Sequence, residues 1–126
     1  MNPNAQTLDA LYAVGHRLVA QDRARDAISL FRTMLLVDAR DERGWLALAT
    51  CHEKLDEPEK AIALCLLASS ACEGKALRCA VARARLLNAI GEQEESRLAY
   101  VDAARMAESL ADDEMVALIA LEGGVS

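Results

Sequence analysis

Apolar residues recur at three- and four-residue spacing in seven consecutive stretches of the chain, and short polar breaks separate these stretches. That spacing places the apolar side chains on one face of a helix, so each stretch predicts an amphipathic α-helix. The predicted helices cover about 8–20, 25–37, 42–54, 58–72, 76–89, 93–108 and 112–121. We therefore expect an all-α protein whose tail, residues 122–126, is frayed.

Three residues support the predicted ends of these helices. Pro58 is suited to a first helical position, where its missing N–H removes no helical hydrogen bond. Gly74 is suited to a left-handed helix stop, and Asp112 to an N-cap.

The first four predicted helices repeat at an offset of 34 residues. Leu11, Val14, Gly15, Leu18, Ala27, Phe31 and Met34 superimpose on Trp45, Leu48, Ala49, His52, Ala61, Cys65 and Ala68. A third, looser copy has one additional residue in its offset and contains Ala80, Ala84, Leu87, Gly91, Ser96, Tyr100 and Ala103. In this copy Arg83 stands where the first two have Val14 and Leu48. A period of this length is typical of stacked helical hairpins.

The recurring small residues distinguish a stack from an ordinary helical bundle, which is the alternative interpretation. A bundle explains apolar faces but not small and large residues repeating at one offset. We predict a tetratricopeptide-type α-solenoid, which is one domain spanning 1–126. Its repeats cover about 8–41, 42–76 and 77–110, and a capping helix covers about 112–122.

Composition narrows the function classes. The formal net charge of −6 argues against nucleic acid or an anionic membrane as the main partner. No apolar run is long enough for a transmembrane helix, and the N-terminus does not resemble a signal peptide, so a cytoplasmic location is expected. The four cysteines, Cys51, Cys65, Cys72 and Cys79, form no C-x-x-C pair and are predicted to be reduced core residues.

No nucleophile–base pair, phosphate loop or metal-ligand spacing is present, so we expect no enzyme activity, no catalytic residue, no cofactor and no metal. The adjacent carboxylates Glu94-Glu95 and Asp112-Asp113 are interpreted as solvated charge.

In a stack of hairpins, the first helices of successive hairpins line a concave groove. Helical spacing predicts one row of groove residues on each of these helices. The predicted row is Asp9, Tyr12, His16, Val19, Arg43, Leu46, Thr50, Glu53, Arg78, Val81, Arg85 and Asn88. Tyr12 is the strongest candidate for a contact, because Tyr is enriched at binding hot spots. Such a row suits an extended peptide.

Trp45, Gly15, Ala27, Phe31 and Ala61 stand at signature positions of the tetratricopeptide repeat, which the pattern resembles over about 8–108. The segment 8–55 also resembles the translocator (class II) chaperones of bacterial type III secretion. The resemblance lies in an L-x-x-L-Y start, a V-D-x-x-D link and the A-x-C motif at 49–51. Tyr12 matches an aromatic groove position of that family. His16 and Val19 stand where the family often has aromatics.

The resemblance implies a bacterial cytoplasmic chaperone that binds a secreted, hydrophobic translocator in its groove and keeps it soluble. It also implies homodimers, although the sequence starts close to its first repeat, and the extension that often carries the family's dimer contacts is not expected. Two alternatives stay open. One is a chaperone of a needle or early export subunit, and the other is a general scaffold for protein–protein interactions.

Overall fold

The structure, a computed structural model, describes residues 4–124 and contains seven α-helices in that range. They are α1 Asn4–Ala20, α2 Ala24–Val37, α3 Glu42–Lys54, α4 Pro58–Ala71, α5 Leu77–Ala89, α6 Gln93–Ser109 and α7 Asp113–Gly123. Each helix packs against the next along the chain, and α3 also contacts α1 and α5. The predicted architecture of three hairpins and a capping helix is confirmed. No helix of the described range combines the length and apolar character needed to span a bilayer.

The turns inside the hairpins repeat with the sequence. Asp22, Asp56 and Gly91 occupy equivalent positions and all have left-handed backbones, with φ of 61°, 60° and 88°. In each turn the next residue donates its N–H to a carbonyl five residues back, as in the hydrogen bond from Arg23 to Leu18 at 2.8 Å. The extra residue of the third repeat lies between α4 and α5, where Gly74 has a φ of 76°.

Small side chains occupy the contacts between the two helices of each hairpin. Gly15, Ala49 and Ala84 are buried on the first helices, and Ala27, Ala61 and Ser96 are buried on the second helices. In the third hairpin the Ser96 hydroxyl donates a hydrogen bond to the Ala84 carbonyl at 2.8 Å. In the first hairpin the Phe31 ring occupies the space where Gly15 has no side chain.

The core consists of three clusters in series along the stack. The first is centred on Phe31 and Met34, and the last on Tyr100 and Ile119. The middle cluster contains Cys65, Cys72 and Cys79, and all four cysteines of the chain are free and buried, as predicted. Burial raises the pKa of the Cys51 thiol, which keeps it protonated and inert.

The end of α7 is held by a polar contact that the sequence did not suggest. The Arg85 guanidinium donates two hydrogen bonds to the Glu122 carboxylate, one of them at 2.8 Å, and the Tyr100 hydroxyl donates a third at 2.8 Å. Arg85 is the main cause of a lowered Glu122 pKa. Burial, followed by the contact with Glu122, raises the pKa of Tyr100 to about 12.

The prediction of a frayed tail is therefore wrong for Glu122 and Gly123, which belong to α7. A Cβ on Gly123 would lie 2.5 Å from the Tyr100 ring, so the helix end packs closely on α6. Residues 125 and 126 lie outside the described range.

We expect Gly15→Ala to destabilise the protein. Its Cβ would lie 2.5 Å from the Phe31 ring. Overpacking should cost about 2 kcal/mol, while the better helix propensity of alanine should return about 1 kcal/mol. The expected net loss in unfolding free energy is therefore about 1 kcal/mol. Gly44→Ala is the matched control, because its Cβ meets the movable end of Leu35 at 2.9 Å. Urea denaturation followed by circular dichroism should show a loss for Gly15→Ala alone. Equal effects of the two changes would contradict this account of the first hairpin.

The Glu122 contact should give stability that depends on pH. A carboxylate with a lowered folded-state pKa stabilises the protein above its unfolded pKa, and this contribution is lost as the pH falls through the folded pKa. We expect Glu122→Gln to lower the unfolding free energy by about 1 kcal/mol at neutral pH, the upper range for a surface ion pair. The difference from wild type should shrink in acid.

Denaturation at pH 7 and at acidic pH tests this expectation. Glu108→Gln is the control, because Glu108 is exposed and has no ion pair within residues 4–124. A Glu122→Gln deficit that persists unchanged in acid would show that the charge of Glu122 is not its cause.

Candidate functional site

One face of the stack, formed by α1, α3 and α5, carries a groove made of two joined depressions. The first has a volume of about 390 Å³ and lies mainly between α1 and α3. The second has a volume of about 330 Å³ and lies between α3 and α5. Leu46 and Thr50 line both depressions, so they form one continuous surface across three helices.

The structure brings most of the predicted groove residues together. The first depression is lined by Tyr12, His16, Val19, Arg43, Leu46, Thr50 and Arg78. Glu53 and Arg85 line the second. Asp9 lies beside the groove, where its carboxylate is 3.0 Å from the Arg43 guanidinium.

Two predicted residues do not belong to this surface. Val81 is 3% exposed and packs in the last core cluster, which also contains Ile119 of α7. Asn88 is exposed but borders a separate depression with Tyr100 and Glu122. The prediction transferred the α3 row to α5 unchanged. It is wrong for Val81 because this residue belongs to the core cluster that α5, α6 and α7 form together.

The sequence reading missed several small residues that shape the groove. Ala47 lines the first depression, and Ala82 and Ala89 line the second. On α5 the groove is therefore lined by Ala82, four positions after Arg78, and not by the predicted Val81, three positions after it. Alternating three- and four-residue steps along the helix would have been the signal, but the burial of Val81 in the last core cluster decides between them.

Arg43 makes several contacts at the α1–α3 end of the groove. Asp41, the N-cap of α3, accepts hydrogen bonds from the Arg43 backbone N–H at 3.1 Å and from its guanidinium at 2.8 Å and 3.1 Å. The guanidinium also lies 5.1 Å from the centre of the Tyr12 ring. The hydrogen bond with Asp41 is the main cause of a raised Arg43 pKa, so Arg43 stays charged. These contacts link α1 to α3 and fix the cation over the Tyr12 ring.

Aromatic contacts continue from Tyr12 in two directions. Its ring centre is 6.3 Å from that of the buried Phe31 and 5.8 Å from that of His16. One aromatic side chain thus connects the core of the first hairpin to the groove surface.

Charges along the groove are mixed. Glu42 is engaged, because its carboxylate accepts a hydrogen bond from the Cys79 N–H at 2.9 Å. Lys54 and Arg78 line the first depression and have no ion-pair partner within residues 4–124. In the same range no group of three or more His, Cys, Asp and Glu residues is arranged to hold a metal ion.

No family model matches the sequence, and no curated protein matches it significantly. Solved structures do match. The type III secretion translocator chaperone SycD of Yersinia enterocolitica is 20% identical, with a TM-score of 0.81 over 97% of this chain and 91% of that chain.

Two further matches are complexes. SycD with a peptide of the translocator YopD is 21% identical, with a TM-score of 0.71 over 97% of this chain and 98% of that chain. PcrH, from Pseudomonas aeruginosa, with the chaperone binding region of PopD is 20% identical, with a TM-score of 0.77 over 98% and 93%. At these identities the similarity concerns the fold. The chain has the helical-repeat fold of the type III secretion translocator chaperones, as the sequence resemblance predicted.

Proposed function

We propose that this protein is a chaperone of a bacterial type III secretion system that holds an extended segment of a hydrophobic translocator in its groove. The single observation that carries the proposal is the continuous surface across α1, α3 and α5 in a chain with the translocator-chaperone fold. SycD and PcrH are known in complexes with a YopD peptide and with the chaperone binding region of PopD.

The size of the groove suits an extended segment of limited length. Three packed helices at axis separations of about 9 Å span about 18 Å from α1 to α5. An extended chain advances about 3.3 Å per residue, so about six residues cross the groove. A segment of that length presents alternate side chains to the surface.

Groove chemistry favours a mixed occupant. Tyr12, Val19 and Leu46 offer apolar contacts, while Thr50 and the unpaired Lys54 offer polar ones. We propose that alternate apolar side chains of the translocator lie against the first group. Asp9, His16, Arg43, Glu53, Arg78 and Arg85 are proposed to contact the polar parts of the same segment.

The proposed action is non-enzymatic. Covering an apolar segment removes from water a surface that would otherwise associate with other chains. This keeps the translocator soluble in the bacterial cytoplasm before export. Self-association is part of the proposal, since SycD was solved as an alternative dimer.

We expect the double variant Tyr12→Glu, Leu46→Glu to lose translocator binding while its helical content stays intact. Both side chains line the first depression, and neither is fully buried, so charge there opposes an apolar occupant without opening the core. Binding should fall by about 100-fold or more, because two central apolar contacts are lost. The measurement is co-purification with a hydrophobic translocator of the same type III secretion system, together with the soluble yield of that translocator.

Leu36→Glu is the matched control, because Leu36 is 87% exposed on α2 and lies outside the groove. Unchanged co-purification by the double variant would contradict the groove assignment. A wild-type chain that binds the translocator without raising its soluble yield would favour the general scaffold instead. Preferential binding of a needle or early export subunit would favour a chaperone of that class.

A further inference from the structure

The first depression of the groove has more positive than negative side chains, although the chain as a whole is acidic. Its lining residues include the cations Arg43, Lys54 and Arg78, and the carboxylate of Glu42. The formal net charge of the chain is −6. The first depression therefore differs in charge from the molecule around it.

The carboxylates near this depression are engaged by other groups of the chain. Asp9 and Asp41 lie 3.0 Å and 2.8 Å from the Arg43 guanidinium and balance its charge. Glu42 accepts a hydrogen bond from the Cys79 N–H at 2.9 Å. This N–H belongs to the first turn of α5, where the helix dipole also favours a carboxylate.

Lys54 and Arg78 have no such balance. Neither makes an ion pair within residues 4–124, and both side chains are exposed, so a bound polypeptide can reach them. The second depression is different, because Arg85 is already paired with Glu122, and Glu53 makes no ion pair in the described range. Positive charge that is available to a ligand therefore lies in the first depression.

These two cations lie at opposite ends of the depression. Lys54 is the last residue of α3. Arg78 lies near the beginning of α3, because the N–H of its neighbour Cys79 is bound to Glu42. The 13 residues of α3 correspond to about 20 Å along the helix axis. Leu46 lies between these ends, so an apolar contact surface has a cation on either side.

We propose that the segment held in the groove carries acidic residues next to its apolar ones, and that Lys54 and Arg78 recognise them. This inference rests on the proposed function, because it names the chemistry of the segment in that same groove. The apolar side chains lie on Tyr12 and Leu46, and neighbouring carboxylates pair with the two cations. The net negative charge of the chain opposes such a segment weakly, since charges beyond about 8 Å are screened at physiological ionic strength.

Binding of three peptides, measured by fluorescence anisotropy, tests this recognition. The peptides carry one common fluorophore, and the first has the sequence Ser-Leu-Glu-Leu-Glu-Leu-Ser. The other two have Gln or Lys at both Glu positions. We expect the Glu peptide to bind about tenfold more tightly than the Gln peptide, from about threefold for each of two exposed ion pairs. The Lys peptide should bind most weakly, and added salt should reduce the preference for Glu.

Changes at the two cations should alter this order. Lys54→Gln, Arg78→Gln should bind the Glu and Gln peptides equally, and Lys54→Glu, Arg78→Glu should bind the Lys peptide most tightly. The matched control is Arg25→Gln, Arg32→Gln, which removes the same charge from exposed residues of α2 outside the groove. This control should keep the tenfold preference. Melting temperatures should stay near that of wild type, because all four side chains are exposed.

Co-purification with a hydrophobic translocator of the same secretion system extends the test to a full-length partner. Lys54→Gln, Arg78→Gln should retain less translocator than the α2 control, and the difference should disappear at high salt. This measurement decides the matter if the short peptides fail to bind.

The outcomes separate this inference from the proposed function. Equal binding of the Glu and Gln peptides by wild type would overturn the inference and leave the proposed function in place. Equal retention of the translocator by the cation variant and the α2 control would do the same. A wild-type chain that binds neither the peptides nor a translocator would contradict the proposed function itself.

Discussion

The close approach of the two helices in each hairpin is the constraint on which the rest of the structure depends. It exists because glycine or alanine on the first helix faces alanine or serine on the second. Where Gly15 leaves space, the Phe31 ring enters it, and the same ring lies near Tyr12 at the groove surface. Packing inside a hairpin is thus connected directly to the surface proposed to bind.

The capping helix α7 follows the third hairpin and contacts α6 and Arg85 of α5. It packs mainly on α6, adds Ile119 to the core cluster that also contains Val81, and ties Arg85 to Glu122. A residue that faces the groove in the first two repeats is therefore covered in the third. Glu122 of the same helix neutralises Arg85, which lines the second depression. Arg78 lines the first depression and has no ion-pair partner within residues 4–124.

The helices, their order and the stacking followed from the sequence, because each depends on local periodicity or on the repeat. Helix ends were found within a few residues, and Asp112 accepts the predicted capping hydrogen bond from the Met115 N–H at 3.1 Å. Sequence reasoning failed where the third repeat meets the capping helix. Val81 and Glu122 are decided by contacts between distant segments, and no spacing along one helix contains that information.

Arg43, Arg85 and Arg83 differ in the groups that surround their guanidinium ions, and therefore in what each contributes to the protein. Arg43 is satisfied by Asp41 and Asp9 and stacks on Tyr12, so it stiffens the groove before any ligand arrives. Such order in the free protein lowers the entropy that the proposed binding of a segment beside Tyr12 costs.

Arg85 is satisfied by Glu122 and fixes the end of the stack. Arg83 alone has a buried donor that nothing within residues 4–124 satisfies, although its repeat position is apolar elsewhere. The equivalent residue is 4% exposed in the second repeat, Leu48, but 44% exposed in the first, Val14. The position therefore lies at the edge of the core, where a half-buried arginine packs its apolar stem and keeps part of its charged end near the surface.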